Sequence, residues 1–130
     1  MESLYFEATQ RTPLVKFDFE RGLFVMKGEI YPEDAANFFG PLLESLNKYM
    51  RDGAGASNFT FDLELIYFNS SSAKGLMNIF RMLEEAAEQG AQVVINWHYH
   101  EDDDTILEAG EDFAEDLSAA TFRFCPREAA

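Results

Sequence analysis

Residues 59–83, FTFDLELIYFNSSSAKGLMNIFRML, change from strand periodicity to helix periodicity within a few positions. Polar residues alternate with apolar residues in the first half, which predicts a strand with one buried face. That predicted face consists of Phe59, Phe61, Leu63, Leu65 and Tyr67. The second half has apolar residues three and four positions apart, which predicts an amphipathic helix. Its predicted buried stripe consists of Leu76, Ile79, Phe80, Leu83 and Ala87.

Three consecutive serines, Ser70, Ser71 and Ser72, lie at the switch from strand to helix. A helix N-terminus has free N–H groups and the positive end of the helix dipole. A serine hydroxyl there can accept from a backbone N–H and cap the helix. A phosphate on the same serine would also be stabilised there. The local pattern therefore supports two interpretations, a helix cap and a phosphorylation switch.

Composition restricts the class of protein. The chain has 130 residues, 47% of them hydrophobic, and a formal net charge of -14. This length predicts one domain, residues 1–130. The negative charge argues against nucleic-acid binding and against an anionic membrane surface. With one cysteine, Cys125, no intrachain disulfide can form. Since neither a signal peptide nor a membrane-length apolar run is visible, we expect a cytoplasmic protein.

The remaining segments predict further strands and helices. A helix start is expected at Tyr31-Pro32-Glu33-Asp34, and Pro41 predicts a kink or a break in that helix. A loop is expected at Asp52-Gly53-Ala54-Gly55, and a frayed tail from Pro126. The other predicted strands are Leu14–Phe19, Leu23–Gly28, Val93–His100 and Thr121–Phe124, and Tyr5–Thr9 is either a short edge strand or an ordered arm.

The predicted strands have one distinctly polar face, with Asp62 and Glu64 in one strand and Asn96 and His98 in the next. A sheet covered by helices on both faces would instead show continuous apolar runs. The pattern therefore predicts an α/β fold with a mixed β-sheet and helices packed mainly on one face.

An apolar strand followed by a serine turn and a helix resembles the STAS domains of anti-sigma-factor antagonists. The departure is at Asn69, where the STAS turn has Asp, and at Ala73-Lys74, inserted before Gly75-Leu76. Over nearly its whole length the chain is more similar to the SiaC-type bacterial regulatory phosphoproteins, a STAS-like family. The motifs that carry this resemblance are Thr12-Pro13, Gly28 with Tyr31-Pro32-Glu33, Phe39-Gly40, Asp62-Leu63, Tyr67 to Ser72, Leu83-Glu84-Glu85-Ala86 with Gly90, and Trp97-His98-Tyr99.

The resemblance implies a non-catalytic switch protein without a cofactor. A cognate serine/threonine kinase would phosphorylate Ser70, with Ser71 and Ser72 as alternatives, and a PP2C-type phosphatase would remove the phosphate. The unphosphorylated form would bind and activate a diguanylate cyclase, promoting cyclic di-GMP signalling and biofilm formation. The expected partner-binding residues are Tyr67, Phe68, Asn69, Ser71 and Lys74. The alternative is an anti-sigma-factor-antagonist-like switch with another effector.

Two enzyme interpretations remain from the residues themselves. His98 and His100 share one strand face and precede the acidic run Glu101 to Asp104, which would suit a metal-dependent hydrolase. A third histidine is missing, since the chain has 2. A serine hydrolase at Ser70 or Ser71 lacks the Gly-x-Ser-x-Gly elbow.

Overall fold

The structure is a computed structural model, and it describes residues 2–52 and 58–128. The described residues form one six-stranded sheet in which the strands stand in chain order, β1-β2-β3-β4-β5-β6. The strands are Leu4–Phe6 (β1), Leu14–Asp18 (β2), Leu23–Ile30 (β3), Asn58–Phe68 (β4), Gln92–His100 (β5) and Thr121–Arg127 (β6). The helices are Ala35–Arg51 (α1), Ser70–Glu88 (α2) and Asp104–Ala114 (α3).

The sheet is mixed, as the sequence predicts. β1, β2 and β3 pair antiparallel, whereas β3 to β6 pair parallel. A helix connects each pair of neighbouring parallel strands. Because such crossovers are right-handed and the strand order advances in one direction, all three helices lie on the same face of the sheet. The carboxyl ends of β3, β4 and β5, and the N-termini of the helices, therefore share one edge.

The covered face of the sheet forms the core. Alternate residues of the central strands are buried beneath the helices, including Phe24, Phe61, Leu63, Ile95 and Trp97. The indole N–H of Trp97 donates to the carbonyl oxygen of Ile106 at 2.9 Å, which fixes α3 on β5. This bond satisfies the polar atom of a large buried ring.

The other face of the sheet is open, and its polar residues form a contact network. Asn96 Nδ2 donates to Asp62 Oδ1 at 2.8 Å, and His98 Nε2 lies 3.6 Å from the same oxygen. Glu64 forms ion pairs with Lys27 at 3.1 Å and with Arg127 at 2.9 Å. The predicted polar face is therefore confirmed. It also includes Arg127, which the sequence placed in a frayed tail.

Helix α1 corrects two sequence predictions. It begins at Ala35 and not at Pro32, because the Asp34 side chain accepts from the N–H of Asn37 and caps the helix. It also continues through Pro41 to Arg51, so the predicted break is wrong, whereas the kink stays a prediction. Pro41 is exposed, and the preceding Gly40 has no Cβ to collide with the proline ring.

Both edge strands differ from their predicted bounds. β1 spans Leu4–Phe6 and not Tyr5–Thr9, since the Thr9 hydroxyl accepts from the N–H groups of Arg11 and Thr12 and turns the chain away. β6 extends to Arg127, where a frayed tail was expected. An edge strand tolerates Pro126 because it needs ladder bonds on one side only.

The predicted loop at Asp52-Gly53-Ala54-Gly55 lies outside the described residues except for Asp52, which caps the end of α1. No helix in residues 2–52 and 58–128 is both long enough and apolar enough to span a membrane.

Candidate functional site

The serine turn lies at the shared edge of the sheet, directly after β4. Asn69, and not a serine, caps α2: its backbone is extended and its side-chain Oδ1 accepts from the N–H of Ser72 at 3.0 Å. The Asn69 carbonyl accepts from the N–H of Ala73 at 2.9 Å, which starts the helix. The interpretation of a serine as the cap was therefore wrong, because the preceding amide already fills that role.

The three serines differ in exposure. Ser70 and Ser71 are exposed at the first two helical positions. Ser72 is 0% exposed, and its Oγ has no hydrogen-bond partner among the described residues. A modifying enzyme can therefore reach Ser70 and Ser71 in the folded protein, whereas Ser72 Oγ is closed to it.

A β-bulge places aromatic surface beside the turn. The β3–β4 register shifts between Gly28 and Glu29, so that Glu29 pairs with Tyr67. Gly28 has φ 125, which suits a glycine at a bulge. The strand alternation breaks there, and Ile66 and Tyr67 are 60% and 50% exposed. The prediction that Tyr67 continues the buried face of β4 was therefore wrong.

The two aromatic residues before the turn have different surroundings. The Tyr67 ring meets that of Tyr31 edge to face, with centroids 5.8 Å apart, at the surface. Phe68 is half-buried and packs against Trp97 and Phe113, with centroids at 6.3 and 6.0 Å. Tyr67 can therefore contact a partner directly, while Phe68 anchors the turn to the core.

A groove between α1 and α2 opens next to the exposed serines. Its volume is about 360 Å³, and most of its lining side chains are small. It is lined by Ala35, Ala36, Phe39, Gly40, Leu43, Ser71, Lys74, Gly75 and Asn78. Lys74 is exposed and follows Ser70 by one helical turn. We call the turn, Ile66, Tyr67 and this groove together the serine site.

The three helix caps differ in charge. Asp34 caps α1 and Asp103 caps α3, each through a side-chain oxygen. The cap of α2 is the neutral Asn69, and the first turn of α2 has no acidic residue. An anion at the start of α2 would therefore meet free N–H groups and the positive helix end without a carboxylate in the cap.

The histidines have a different role from the one a hydrolase would require. His98 lies on the open sheet face, between Asp62 at 3.6 Å and Nη2 of Arg127 at 3.3 Å from its Nδ1. The described ranges contain no group of three His, Cys, Asp or Glu residues that could hold a metal ion. Arg127 places a cation beside His98 Nδ1, which disfavours a metal ion at that nitrogen.

Sequence reasoning missed several members of these surfaces. Ile66 was assigned to no site, and Arg127 was placed in a tail. Glycine in a strand marks a bulge, so Gly28 was the available signal for the exposure of Ile66 and Tyr67. The groove between α1 and α2 had no local signal, since it depends on how two helices pack.

The fold and the serine site define a one-sided α/β domain with an accessible serine at a helix N-terminus. The SiaC family regulatory phosphoprotein profile matches residues 6–127. An uncharacterized protein of Pseudomonas aeruginosa strain UCBPP-PA14 is 36% identical over 118 residues, 91% of this chain and 92% of that protein. The chain belongs to the SiaC family of regulatory phosphoproteins.

Solved structures of SiaC superpose on this chain over nearly its full length. Apo-SiaC from Pseudomonas aeruginosa superposes with a TM-score of 0.84 and 35% identity, covering 98% of this chain and 99% of that one. SiaC in the complex of the diguanylate cyclase SiaD with its activator SiaC superposes with a TM-score of 0.89 and 34% identity. That match covers 95% of this chain and 99% of the matched chain.

Proposed function

We propose that this chain is a phosphorylation-controlled partner-switch protein whose unphosphorylated form binds and activates a diguanylate cyclase. Support comes from the SiaC of Pseudomonas aeruginosa, which is 34% identical and is the activator of SiaD in their complex. In this proposal residues 1–130 act as one cytoplasmic regulatory domain without catalytic activity. A serine/threonine kinase and a PP2C-type phosphatase set its phosphorylation state.

The observation that carries the proposal is the Asn69 cap. Because Asn69 Oδ1 bonds the Ser72 N–H, the Ser70 hydroxyl is not needed to start the helix. Ser70 is exposed and lies directly after the strand end that carries Tyr67. We therefore assign Ser70 as the acceptor, with Ser71 as the accessible alternative. Ser72 is the weakest of the three candidate acceptors because its side chain is fully buried.

A phosphate on Ser70 is compatible with the protein's own fold. It would add about -1.5 to -2 charges and three acceptor oxygens. The free N–H groups at the start of α2 and the neutral Asn69 side chain favour an anion there. Lys74, on the same helix four positions later, can pair with it. Phosphorylation is therefore expected to leave the domain folded.

Phosphorylation would instead destabilise the complex with the partner protein. A partner packed against Tyr67, Asn69, Ser71, Lys74 and the adjoining groove would bury the phosphate. Removing a charge from water without a new partner is unfavourable. A loss of about 3 kcal/mol would lower the affinity roughly a hundredfold. Phe68 contributes by fixing the turn against Trp97 and Phe113.

The test combines phosphosite mapping with a binding measurement. The protein is purified from its host, and the turn is mapped by mass spectrometry in wild type, Ser70→Ala and Ser72→Ala. Phosphate is expected on Ser70 in wild type and in Ser72→Ala. Protein with phosphoserine installed at position 70 is then titrated against the host cyclase recovered with the unphosphorylated form. Equal affinity of the two forms would refute the switch, and phosphate on Ser71 would move the acceptor by one residue.

A further inference from the structure

A second groove lies between the C-terminal half of α2 and the end of α3. Its floor is apolar and consists of Met77, Phe80, Phe113 and Leu117, with a volume of about 360 Å³. The rings of Phe80 and Phe113 meet with centroids 5.0 Å apart. Phe80 follows Ser70 by ten positions, a rise of about 15 Å along the helix. We call this feature the α2–α3 groove, and it is separate from the serine site.

The rim of the α2–α3 groove is acidic. Glu85 and Glu88 line it from α2, and Asp116 lines it from the segment after α3. In residues 2–52 and 58–128 none of these three carboxylates forms an ion pair. Arg81 also lines the groove, so the rim carries three free carboxylates against one cation. A basic ligand would therefore find unpaired charges of the opposite sign.

A hydrogen-bonded carboxylate holds one wall of the groove in place. Glu84 accepts from the N–H groups of Ser118, Ala119 and Ala120 and from the Ser118 hydroxyl, at 2.8 to 3.2 Å. These bonds connect α2 to the segment between α3 and β6. Because the Glu84 oxygens are occupied within the fold, Glu84 shapes the groove while Glu85, Glu88 and Asp116 stay available for a ligand.

We propose that the α2–α3 groove binds a basic amphipathic helix of a protein partner. A groove between two helices accepts a helix that presents apolar anchors at i, i+3 and i+4. One or two such anchors would pack on the partly buried Met77 and Leu117, above the buried rings of Phe80 and Phe113, and flanking lysines or arginines would reach the rim. The net charge of -14 would steer a basic segment toward the protein. Occupancy is independent of the phosphorylation state of Ser70.

The probe is a fluorescein-labelled 18-residue helical peptide of leucine and lysine, used at about 150 mM salt to suppress long-range attraction. Its site is mapped by amide chemical shifts of the isotope-labelled protein. The expected shifts cluster in residues 77–88 and 113–118. Shifts centred on the open sheet face or on the α1–α2 groove would overturn the proposal.

Charge reversal distinguishes specific binding in the α2–α3 groove from general electrostatic attraction of the peptide to an acidic protein. The double variant Glu85→Lys, Glu88→Lys is compared with Glu20→Lys, Glu44→Lys, which changes the net charge equally at exposed positions away from the groove. Both variants are checked for folding by thermal melting. We expect the rim variant to lose at least tenfold in affinity and the control less than threefold. Equal losses would overturn the proposal.

Two further variants complete the test. Leu117→Ser should weaken the peptide by removing floor contact, and an unchanged affinity would argue against an apolar anchor. Ser70→Asp should bind the peptide as tightly as wild type. A clearly changed affinity in Ser70→Asp, most simply a gain because the new carboxylate attracts the lysines, would show that the peptide occupies the serine site and would overturn the assignment to the α2–α3 groove without affecting the proposed switch.

Discussion

The ring of Phe39 on α1 occupies the space where Gly75 on α2 would carry a side chain. A Cβ built on Gly75 lies 2.5 Å from two carbons of that ring. Phe39 is buried, with 3% of its surface exposed. This contact sets how closely the two helices approach, and it thereby sets the width of the groove beside the serines.

Gly75→Ala is therefore expected to destabilise the protein. The added methyl group must push α1 and α2 apart or force Phe39 off its rotamer, at about 1–3 kcal/mol. The measurement is urea unfolding followed by circular dichroism. Lys74→Ala, an exposed neighbour on the same helix, is the control and should change the free energy of unfolding little. A Gly75→Ala variant as stable as wild type would mean that the helices separate at no cost.

Asn69→Ala should lower the free energy of unfolding by about 1 kcal/mol, the usual cost of losing an N-cap. Asn69→Asp should retain most of that stability, because a carboxylate can accept from the same Ser72 N–H. Ser70→Ala should change stability by a few tenths of a kcal/mol at most. If Ser70→Ala cost as much as Asn69→Ala, the serine and not the asparagine would be the cap.

The neutral cap gives a second prediction about phosphorylation. Phosphoserine at position 70 should raise the melting temperature slightly in wild type, since an anion at a helix N-terminus contributes about 0.3–1 kcal/mol. In Asn69→Asp the same phosphate would lie next to a carboxylate, and it should therefore lower the melting temperature. Differential scanning fluorimetry of the four forms checks this. The same shift in both backgrounds would show that the charge of the cap is immaterial.

Ser72→Ala should be neutral or stabilising by about 1 kcal/mol. The hydroxyl is fully buried, and Ser72 Oγ has no partner within the described residues, so its removal ends a desolvation cost. The backbone N–H of Ser72, which the Asn69 side chain bonds, is unaffected by the change. Chemical denaturation against Ser71→Ala, an exposed control, provides the measurement. A clear loss of stability in Ser72→Ala would reveal a bond made by the hydroxyl in solution.

Glu84 should make the stability of the fold sensitive to acid. Burial alone would raise the pKa of Glu84, but hydrogen bonds from Ala119, Ala120 and Ser118 outweigh burial and hold the pKa below its ordinary value of 4.5. A carboxyl group with a lowered pKa stabilises the fold above its unfolded pKa and loses that contribution as the pH falls through the folded pKa. We therefore expect stability to decrease below a pH of about 4.5.

The check is the stability difference between wild type and Glu84→Gln from neutral pH down to about pH 3. The difference should shrink as the wild-type carboxylate is protonated. Glu85→Gln, at an exposed position of the same helix, is the control for removing a carboxylate that makes no bond to the segment before β6. A flat difference for Glu84→Gln would show that its hydrogen bonds do not depend on ionisation.

Periodicity predicted the sheet well where the strands are regular. The alternation from Phe59 to Leu65 holds in the structure, because Thr60 to Glu64 pair in unbroken register with both β3 and β5. It fails at Tyr67, because Ile66 is an extra, unpaired residue in β4 and shifts the following residues to the other face. A one-strand pattern contains no information about register with a partner, so Gly28 could be interpreted correctly only together with β4.

The serine site was predicted in place but not in detail. The switch from strand to helix at residues 69–72 is confirmed. Sequence alone could not distinguish Asn69 from the serines as the cap, since all are favourable N-cap residues. Nor could it distinguish buried Ser72 from exposed Ser70, because the helical rotation is defined only once α2 packs. Arg127 was missed because Pro126 usually ends a strand in the interior of a sheet.

The sheet has its strands in chain order, so from β3 onward each later strand joins the edge left by the strand before it. During synthesis from the N-terminus, the sheet can grow by one strand–helix unit at a time on the ribosome. No strand must be inserted between two that are already paired, which keeps the loops to be closed short and should speed folding. Until β5 docks, however, the growing edge is β4, whose buried face is made of phenylalanine and leucine. A pause in synthesis after β4 has left the ribosome and before β5 has docked would therefore leave an apolar strand unprotected and favour aggregation.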